Sequence, residues 1–205
     1  MSEPLVLIGC GGHARALIDV VESSNAWHVL GLVGLPHQVG IDVLGYPVLG
    51  SDHDLPLLRQ QCANALLAVG QIGLSRKRQD LAAELGHLKF QFPTVISRHA
   101  YVSRHAEVGI GTSVGHGVIL NSGACVGDFC IINTNALIEH DSVISDYCHI
   151  STGALVNGGV KIGSASFIGS GAVLREGIDL PAHTVISAGK RVMGWPLRQD
   201  QECSK

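Results

Sequence analysis

Branched apolar residues recur at a strict spacing of six along the second half of this chain. Every sixth residue from Ile96 to Ile186 is Ile, Val or Leu, without an insertion. A small residue lies four places after most of these positions, as at Ala124, Ala136 and Ala154. A period of six fits neither an α-helix nor a long β-strand, but it fits a parallel β-helix with three short flat sides in each coil. The branched residues are predicted to point into the coil and to stack on their equivalents eighteen residues later.

Glycine is frequent at the second to fourth positions of these hexads. We expect the corners of the coil there, where the chain can require a positive φ. Just over five coils at a strand spacing of about 4.8 Å predict a prism about 25 Å long. A β-sandwich would have strands at variable spacing and would not keep one period for so long.

The first part of the chain lacks the hexad and alternates between strand-like and helix-like segments. The predicted strands are Leu5–Ile8, Val29–Val33, Tyr46–Leu49, Ala65–Val69 and Leu88–Phe92, and the predicted helices are Arg15–Glu22, Asp54–Gln61 and Ser75–Leu85. This order predicts a small parallel sheet with helices on both faces. We therefore expect a Rossmann-like α/β domain over residues 1–92, a β-helix over 93–191 and a loose tail over 192–205.

Composition narrows the class of protein. The chain has 205 residues, 46% of them hydrophobic, and a formal net charge of −3, which gives no electrostatic reason to expect binding to nucleic acid or an anionic membrane. It has no run of eighteen apolar residues, and its start lacks a basic leader, so we expect a cytoplasmic protein. The six cysteines form no CxxC pair and are interpreted as free thiols, with Cys130 and Cys148 stacked in adjacent coils.

A glycine-rich turn between the first predicted strand and helix is a candidate phosphate site. Residues 9–14 (GCGGHA) fit the pattern G-x-G-x-x-A in the strand–turn–helix context that cradles phosphate. An NAD site would also need an acid after the second strand, where this chain has Gly34 and Leu35. The sequence favours a nucleotide-sugar diphosphate, bound by the backbone N–H groups of Gly11 and Gly12. The alternative is a turn that only packs the helix on the strand.

His140 is a candidate general base. It occupies the third position of a hexad, outside the coil, so it is not a core histidine. Imidazole titrates near neutral pH and suits a general base, and the neighbouring carboxylate of Asp141 can orient it. The alternative is an ordinary exposed turn residue. Hexad-repeat proteins that resemble gamma-class carbonic anhydrases hold zinc between subunits and have a second histidine about five residues after the first. This chain has Ser145 at that place, so we expect no metal.

Repeats such as Ile168–Val173 (IGSGAV) and Ile150–Leu155 (ISTGAL) resemble those of the hexapeptide-repeat, left-handed β-helix acyltransferases. Together with the GCGGH turn, they resemble the branch containing sialic-acid O-acetyltransferase-like proteins and N-acetyltransferases of nucleotide-linked 4-amino-sugars. The sharpest match is the segment Asn133–Asp141 (NTNALIEHD), which resembles the catalytic segment of that branch. The resemblance covers almost the whole chain.

This resemblance implies specific roles. It implies that His140 is the general base with Asp141 beside it, that acetyl-CoA contacts His149, Ser170 and Ala188, and that the nucleotide-sugar contacts Gly11, Gly12, His13 and Gly70. Gly34 and Leu35 depart from the acidic residues that many relatives carry after the second strand.

Three functions follow, and the sequence leaves a choice between them. The first is acetylation of the amino group of a nucleotide-linked amino-sugar; the others are O-acetylation of a free sugar such as a sialic acid, and a silent nucleotide-sugar-binding subunit. The resemblance also implies a homotrimer with CoA in the groove between neighbours. We expect an exposed apolar wall for that contact, formed by Val118, Leu137, Val143 and Leu155.

Overall fold

The computed structural model describes residues 2–73 and 76–196. The chain forms two compact units, the first made of residues 1–71 and 75–98 and the second of residues 72–74 and 99–205. Each unit is described by itself.

The first unit is an α/β sheet unit. Its elements are β1 (Glu3–Ile8), α1 (Gly12–Ser23), β2 (Trp27–Val33), a 3₁₀ turn (Pro36–Gln38), β3 (Asp42–Val43), β4 (Tyr46–Gly50), a second 3₁₀ turn (Asp52–Asp54), α2 (Leu55–Gln61), β5 (Ala65–Leu67), α3 (Lys77–His87) and β6 (Val95–Ile96). Five strands form one sheet in the order β3-β4-β2-β1-β5. All its pairings are parallel except that between β3 and β4.

Apolar residues on β1 and α1 explain how this sheet is covered. Leu5 and Leu7 of β1 belong to one buried cluster with Leu17, Ile18 and Val21 of α1. The crossover through α1 leads from β1 to β2, and the crossover through α2 leads from β4 in the opposite direction to β5. Since parallel crossovers are almost always right-handed, α1 and α2 are expected on opposite faces, as the sequence predicts.

Two local features differ from the sequence prediction. The strand predicted at residues 88–92 does not form, and only an isolated bridge joins Asn64 and Gln91 there. Lys89 has a φ of 67°, which interrupts an extended run. The hairpin of β3 and β4 was not predicted, because its turn residues Leu44 and Gly45, both with positive φ, lack the usual Asn-Gly signal.

The second unit is a parallel β-helix of two-residue strands, which confirms the predicted fold class. Its strands are β7 (Tyr101–Val102), β8 (Glu107–Val108), β9 (Ser113–Val114), β10 (Ile119–Leu120), β11 (Cys125–Val126), β12 (Ile131–Ile132), β13 (Leu137–Ile138), β14 (Val143–Ile144), β15 (His149–Ile150), β16 (Leu155–Val156), β17 (Lys161–Ile162), β18 (Phe167–Ile168), β19 (Val173–Leu174), β20 (Asp179–Leu180), β21 (Val185–Ile186) and β22 (Arg191–Val192). They form three walls. Wall A contains β7, β10, β13, β16, β19 and β22, wall B contains β8, β11, β14, β17 and β20, and wall C contains β9, β12, β15, β18 and β21.

The register of the walls confirms that equivalent residues stack eighteen positions apart. Ile132, Ile150 and Ile168 are consecutive Cα partners in wall C, and all three are buried. Cys130 and Cys148 are also buried, one coil apart, as predicted. The five described cysteines are free thiols, and Cys203 lies outside the described residues.

Positive φ is confined to one hexad position in the prism. The fourth residue of each hexad from Gly111 to Gly189 has a φ between about 54° and 75°. The glycines at the second position, such as Gly115, have another reason for lacking a side chain, because a Cβ there would lie 2.9 Å from the backbone N of Thr134 in the next coil. The prediction of positive φ is therefore correct for the fourth position and wrong for the second.

Two further sequence expectations need correction. The apolar outer wall expected from Val118, Leu137, Val143 and Leu155 holds only for Leu137 and Leu155, which share wall A. Val118 is completely buried, since it occupies the fifth position, which faces the coil interior, and Val143 lies on wall B. Val192 was expected to begin the tail, but it completes β22 and is buried. Residues 197–205 of the predicted tail lie outside the described residues. Among the helices that the structure describes, none is long and apolar enough to cross a bilayer.

Candidate active site

His140 and Asp141 form a hydrogen-bonded pair on an exposed corner of the prism. They follow β13 and precede β14, so they lie between wall A and wall B. His140 Nδ1 is 2.9 Å from Asp141 Oδ2, and the two side chains are 58% and 75% exposed. Asp141 holds the fourth hexad position with a φ of 59°, which aspartate adopts more readily than most non-glycine residues.

The hydrogen bond fixes the tautomer of the His140 ring. A carboxylate can only accept, so the proton of the neutral ring is on Nδ1, and Nε2 carries the free lone pair. Among the described residues, Nε2 has no hydrogen-bond partner. The ring is thus oriented to take a proton at Nε2 from a group in solvent or on a ligand.

Glycine in the neighbouring coils leaves space for this pair. Gly158 is the equivalent of His140 one coil later, and a Cβ there would lie 2.6 Å from His140 Nε2. Gly123 is the equivalent of Asp141 one coil earlier, and a Cβ there would lie 2.5 Å from Asp141 Oδ1. The sequence analysis did not single out either glycine, although counting eighteen residues from the pair would have found both.

Carboxylates raise the pKa of His140 above its ordinary value of 6.5. The hydrogen bond to Asp141 is the largest cause. Burial opposes this rise, and the negative charges of Asp141, Glu139 and Glu176 add to it, so that the pKa is raised on balance. Because the pKa is raised, the neutral, base-competent ring predominates only above a pH higher than 6.5.

Glu139 is itself held in place beside the histidine. Asn121, one coil earlier, donates a hydrogen bond from Nδ2 to Glu139 Oε2 at 2.8 Å. The backbone N–H of His140 donates to the same oxygen at 3.3 Å. Glu139 is therefore fixed by a side chain of the preceding coil and by the backbone of His140.

His149 lies on wall C, away from the corner that carries His140. Its side chain is buried, and its Nε2 is 3.4 Å from Asn133 Nδ2. The ring of Phe167 meets it edge-on with a centroid distance of 5.2 Å. His149 is thus ordered by a neighbouring amide and an aromatic ring.

Ser170 and Ala188 occupy one column at the corner that leads from wall C to wall A. They are equivalents eighteen residues apart, and both are exposed. The hydroxyl of Ser170 is 2.9 Å from the hydroxyl of Ser151. Within one chain, this column and the His140 corner lie on opposite edges of wall A.

The glycine-rich turn of the first unit brings four predicted residues together. Gly11 is the N-cap of α1, and a Cβ at Gly11 or Gly12 would meet no atom within 4 Å. A Cβ at Gly70, just after β5, would lie 3.4 Å from the Cβ of His13. These residues therefore surround one open edge at the carboxyl ends of β1 and β5, where α/β sheets bind ligands.

The end of β5 is fixed by a buried cation. Arg78 of α3 is 1% exposed and donates from Nη1 to the carbonyl oxygen of Val69 at 2.6 Å. It also reaches the carbonyl of Leu67 at 3.4 Å. This contact holds the backbone immediately before Gly70.

After β2, where an acid was missing from the sequence, Gln38 occupies the same edge of the sheet. Its Oε1 accepts hydrogen bonds from the backbone N–H of Leu35 at 2.8 Å and from the thiol of Cys10 at 3.1 Å. A Cβ at Gly34 would lie 2.8 Å from Cys10 Sγ, so glycine is required for this contact. The sequence analysis missed Gln38, because the pairing with Cys10 depends on the packing of two loops.

No cluster of three or more metal-ligating side chains exists in residues 2–73 and 76–196.

Comparison with known proteins relates both units to one group. The model of the PglD N-terminal domain matches residues 4–85. No relative among the curated proteins matches this chain.

Several solved structures match over nearly the whole chain. A histidine mutant of perosamine N-acetyltransferase from Caulobacter crescentus, in complex with CoA and GDP-perosamine, is 34% identical with a TM-score of 0.86, covering 93% of this chain and 89% of that one. The acetyltransferase domain of PglB from Neisseria gonorrhoeae, in complex with acetyl coenzyme A, is 29% identical with a TM-score of 0.83, covering 92% and 90%. WeeI from Acinetobacter baumannii shares the fold at 23% identity, with a TM-score of 0.71 and coverage of 96% and 99%.

Proposed function

Because this chain belongs to the family of hexapeptide-repeat sugar acetyltransferases, we propose that it transfers an acetyl group from acetyl-CoA to the amino group of a nucleotide-linked amino-sugar. Relatives bound to CoA with GDP-perosamine, and to acetyl coenzyme A, support this substrate pair. The observation that carries the proposal is the exposed His140 ring, bonded to Asp141 at Nδ1 and open at Nε2.

In this proposal His140 is the general base and Asp141 orients it. The neutral amine of the sugar attacks the thioester carbonyl, forming a C–N bond while Nε2 takes a proton from the nitrogen. The tetrahedral intermediate then collapses, the C–S bond breaks, and the proton passes to the departing sulfur of CoA. Asp141 accepts from Nδ1–H throughout, which stabilises the imidazolium that forms in the first step.

We assign acetyl-CoA contacts to His149, Ser170 and Ala188. Ser170 and Ala188 lie at one edge of wall A, and His140 lies at the opposite edge. A CoA molecule that contacts Ser170 and Ala188 and also reaches a His140 is therefore best held between two chains. This geometry supports the groove between neighbours that the sequence resemblance implies.

An apolar ridge on wall A supports a homotrimer. The first residue of each two-residue strand points outward. On wall A those residues are Tyr101, Ile119, Leu137, Leu155 and Val173, followed by Arg191 in the last strand. Tyr101 is 61% exposed, Ile119 40% and Leu155 37%. The equivalent residues of wall B are Glu107, Cys125, Val143, Lys161 and Asp179, of which three are charged. A contiguous apolar ridge of this kind marks an interface, and it lies between the two corners that the proposed site needs.

We further propose a division of labour between the domains. Residues 1–92 hold the nucleotide-sugar through Gly11, Gly12, His13 and Gly70, and residues 93–191 carry out acetyl transfer; no role is assigned to residues 192–205.

A cytoplasmic location agrees with the free thiols, because reducing compartments preserve them.

A thiol-release assay tests the activity. Acetyl-CoA is supplied with UDP-, GDP- and dTDP-linked amino-sugars and, separately, with free sialic acid. We expect CoA release only with a nucleotide-linked amino-sugar, and a loss of about 10²–10⁴-fold in kcat for His140→Ala, as for other general bases. Turnover of sialic acid alone would replace the proposal with O-acetylation, and release with none of these acceptors would contradict it.

A further inference from the structure

Gln38, which lies after β2 where an acid was missing, has a side-chain amide whose orientation is fixed by two hydrogen bonds. The backbone N–H of Leu35 and the thiol of Cys10 both donate, so the group of Gln38 that faces them has to be the carbonyl oxygen. The amide nitrogen of Gln38 consequently points away from both. In the part of the chain that the structure describes, this nitrogen has no hydrogen-bond partner and is not buried.

The hydrogen bonds to Gln38 Oε1 join the two loops that border the proposed nucleotide site. Cys10 belongs to the turn between β1 and α1, next to Gly11 and Gly12, and Leu35 follows β2. Gln38 is placed by a 3₁₀ turn, in which its own N–H donates to the carbonyl of Leu35 at 2.8 Å. The outward NH₂ group therefore stands at the carboxyl ends of two adjacent parallel strands, where a nucleoside binds in this type of sheet.

The chemistry of this group is the reverse of that of a carboxylate. A carboxylate at this edge accepts hydrogen bonds, for instance from ribose hydroxyls. The locked amide of Gln38 offers only donors, because its oxygen is already used twice within the protein. A site that presents a hydrogen-bond donor discriminates against a ligand without an acceptor, because the donor is then left unpaired.

We propose that Gln38 is a specificity-determining residue that donates a hydrogen bond from Nε2 to an oxygen acceptor on the nucleoside part of the substrate. This inference rests on the proposed function, since it concerns the same nucleotide-sugar. Cys10 is a positioning residue in it, because its thiol keeps the amide oxygen turned inward.

The substitution Gln38→Glu isolates the outward group. The glutamate side chain has the same shape, and one of its oxygens still accepts from Leu35 N–H and Cys10 S–H. Only the outward NH₂ changes, from a donor to a negatively charged acceptor. Titration calorimetry with GDP, UDP and dTDP, without acetyl-CoA, measures the effect directly.

We expect the nucleoside diphosphate that binds the wild type best to bind Gln38→Glu at least about 10-fold more weakly. The KM for acetyl-CoA should stay within about two-fold. Cys10→Ser retains a donor to the amide oxygen and should bind like the wild type. Cys10→Ala leaves only the donor of Leu35, which weakens the fixed orientation, so its affinity should lie between those of the wild type and Gln38→Glu. Equal or tighter binding by Gln38→Glu would overturn the inference.

Two controls separate other failures. If Gln38→Glu does not fold, Gln38→Ala replaces it, and an unchanged affinity in that variant overturns the inference equally. If the wild type binds none of the three diphosphates and turns over no nucleotide-linked sugar, the proposed function itself fails. Binding by the wild type with no loss in the variants refutes only the role of Gln38.

Discussion

The substitution Gly158→Ala tests whether the space beside His140 matters for catalysis. A Cβ at residue 158 would lie 2.6 Å from Nε2 and 2.7 Å from Cε1 of the ring, whereas ordinary contact begins at 3.4 Å. The ring therefore has to move by about 0.8 Å, the difference between 3.4 and 2.6 Å. Gly158 does not have a positive φ, so the backbone itself tolerates alanine.

A movement of this size is larger than the pair can absorb. The Nδ1–Oδ2 distance is 2.9 Å, and N–H···O bonds extend to about 3.2 Å, which leaves about 0.3 Å of slack. The exposed ring can swing outward, but in doing so it loses Asp141. Since a misplacement of about 1 Å can cost about 10²-fold, we expect kcat to fall about 10- to 100-fold.

The pH profile supplies a second signature of the same displacement. The hydrogen bond to Asp141 is the largest cause of the raised pKa of His140. A base with a raised pKa loses activity as the pH falls through that value, so with His140 as the base we expect the acid limb of kcat/KM above pH 6.5 in the wild type. If Gly158→Ala separates the pair, the acid limb moves to lower pH, toward the ordinary histidine value.

The neighbouring glycine provides a matched control. Gly159 has a φ of 65°, and a Cβ there would meet no atom within 4 Å. Gly159→Ala should therefore lower thermal stability, by about 1–2 kcal/mol for a left-handed alanine, and leave the pH profile unchanged. Gly158→Ala should show the opposite combination, with its melting temperature maintained and its kcat reduced.

A double mutant decides whether Gly158 acts through His140. In a His140→Ala background the ring is absent, so adding Gly158→Ala should cause no further loss in the thiol-release assay. If the two losses multiply, or if Gly158→Ala alone retains wild-type kcat and pH dependence, the steric argument is refuted.

Four other outcomes are expected. Asp141→Asn removes the carboxylate that raises the pKa of His140, so kcat should fall about 10–100-fold and the acid limb should move to lower pH; an unmoved limb would assign it to another group. Leu155→Asp places a charge on the apolar ridge of wall A, and light scattering should then report monomer mass, whereas we expect trimer mass for the wild type. Gly12→Val should raise KM for the nucleotide-sugar and leave that for acetyl-CoA nearly unchanged, whereas an equal rise in both would contradict a role restricted to the sugar. Ile150→Ala, in the buried stack of wall C, should destabilise folding by about 2–5 kcal/mol in a denaturant titration, and Ile150→Val by about 0.5–1.5 kcal/mol.

The sequence by itself determined the prism, because the residues that contact each other in neighbouring coils are separated by a fixed number of positions along the chain. Each coil uses eighteen residues, so every side chain has its contacts at fixed offsets along the chain. This is why the buried stack of Ile132, Ile150 and Ile168 was predictable. Counting eighteen residues from His140 would have identified Gly158 in the same way.

The sequence was less decisive about side-chain direction, because an apolar residue between the sixth positions could face either the coil interior or the outer wall. The sequence analysis placed Leu137 and Leu155 on an apolar wall correctly, but it added Val118, whose hexad position faces inward, and Val143, which lies on wall B. The His140–Asp141 contact is similar. Adjacency in sequence does not bring two side chains together, and the corner conformation of Asp141, with its positive φ, does so.

The α/β unit shows what only the tertiary structure decided. Its contacts join residues whose separation follows from crossovers and loop packing rather than from a period, as with Cys10 and Gln38, twenty-eight positions apart. The sequence showed that an acid was absent after β2, but not that an amide had taken its place with the oxygen turned inward. That orientation is set by two donors on different loops, and a one-dimensional pattern carries no information about how those loops meet.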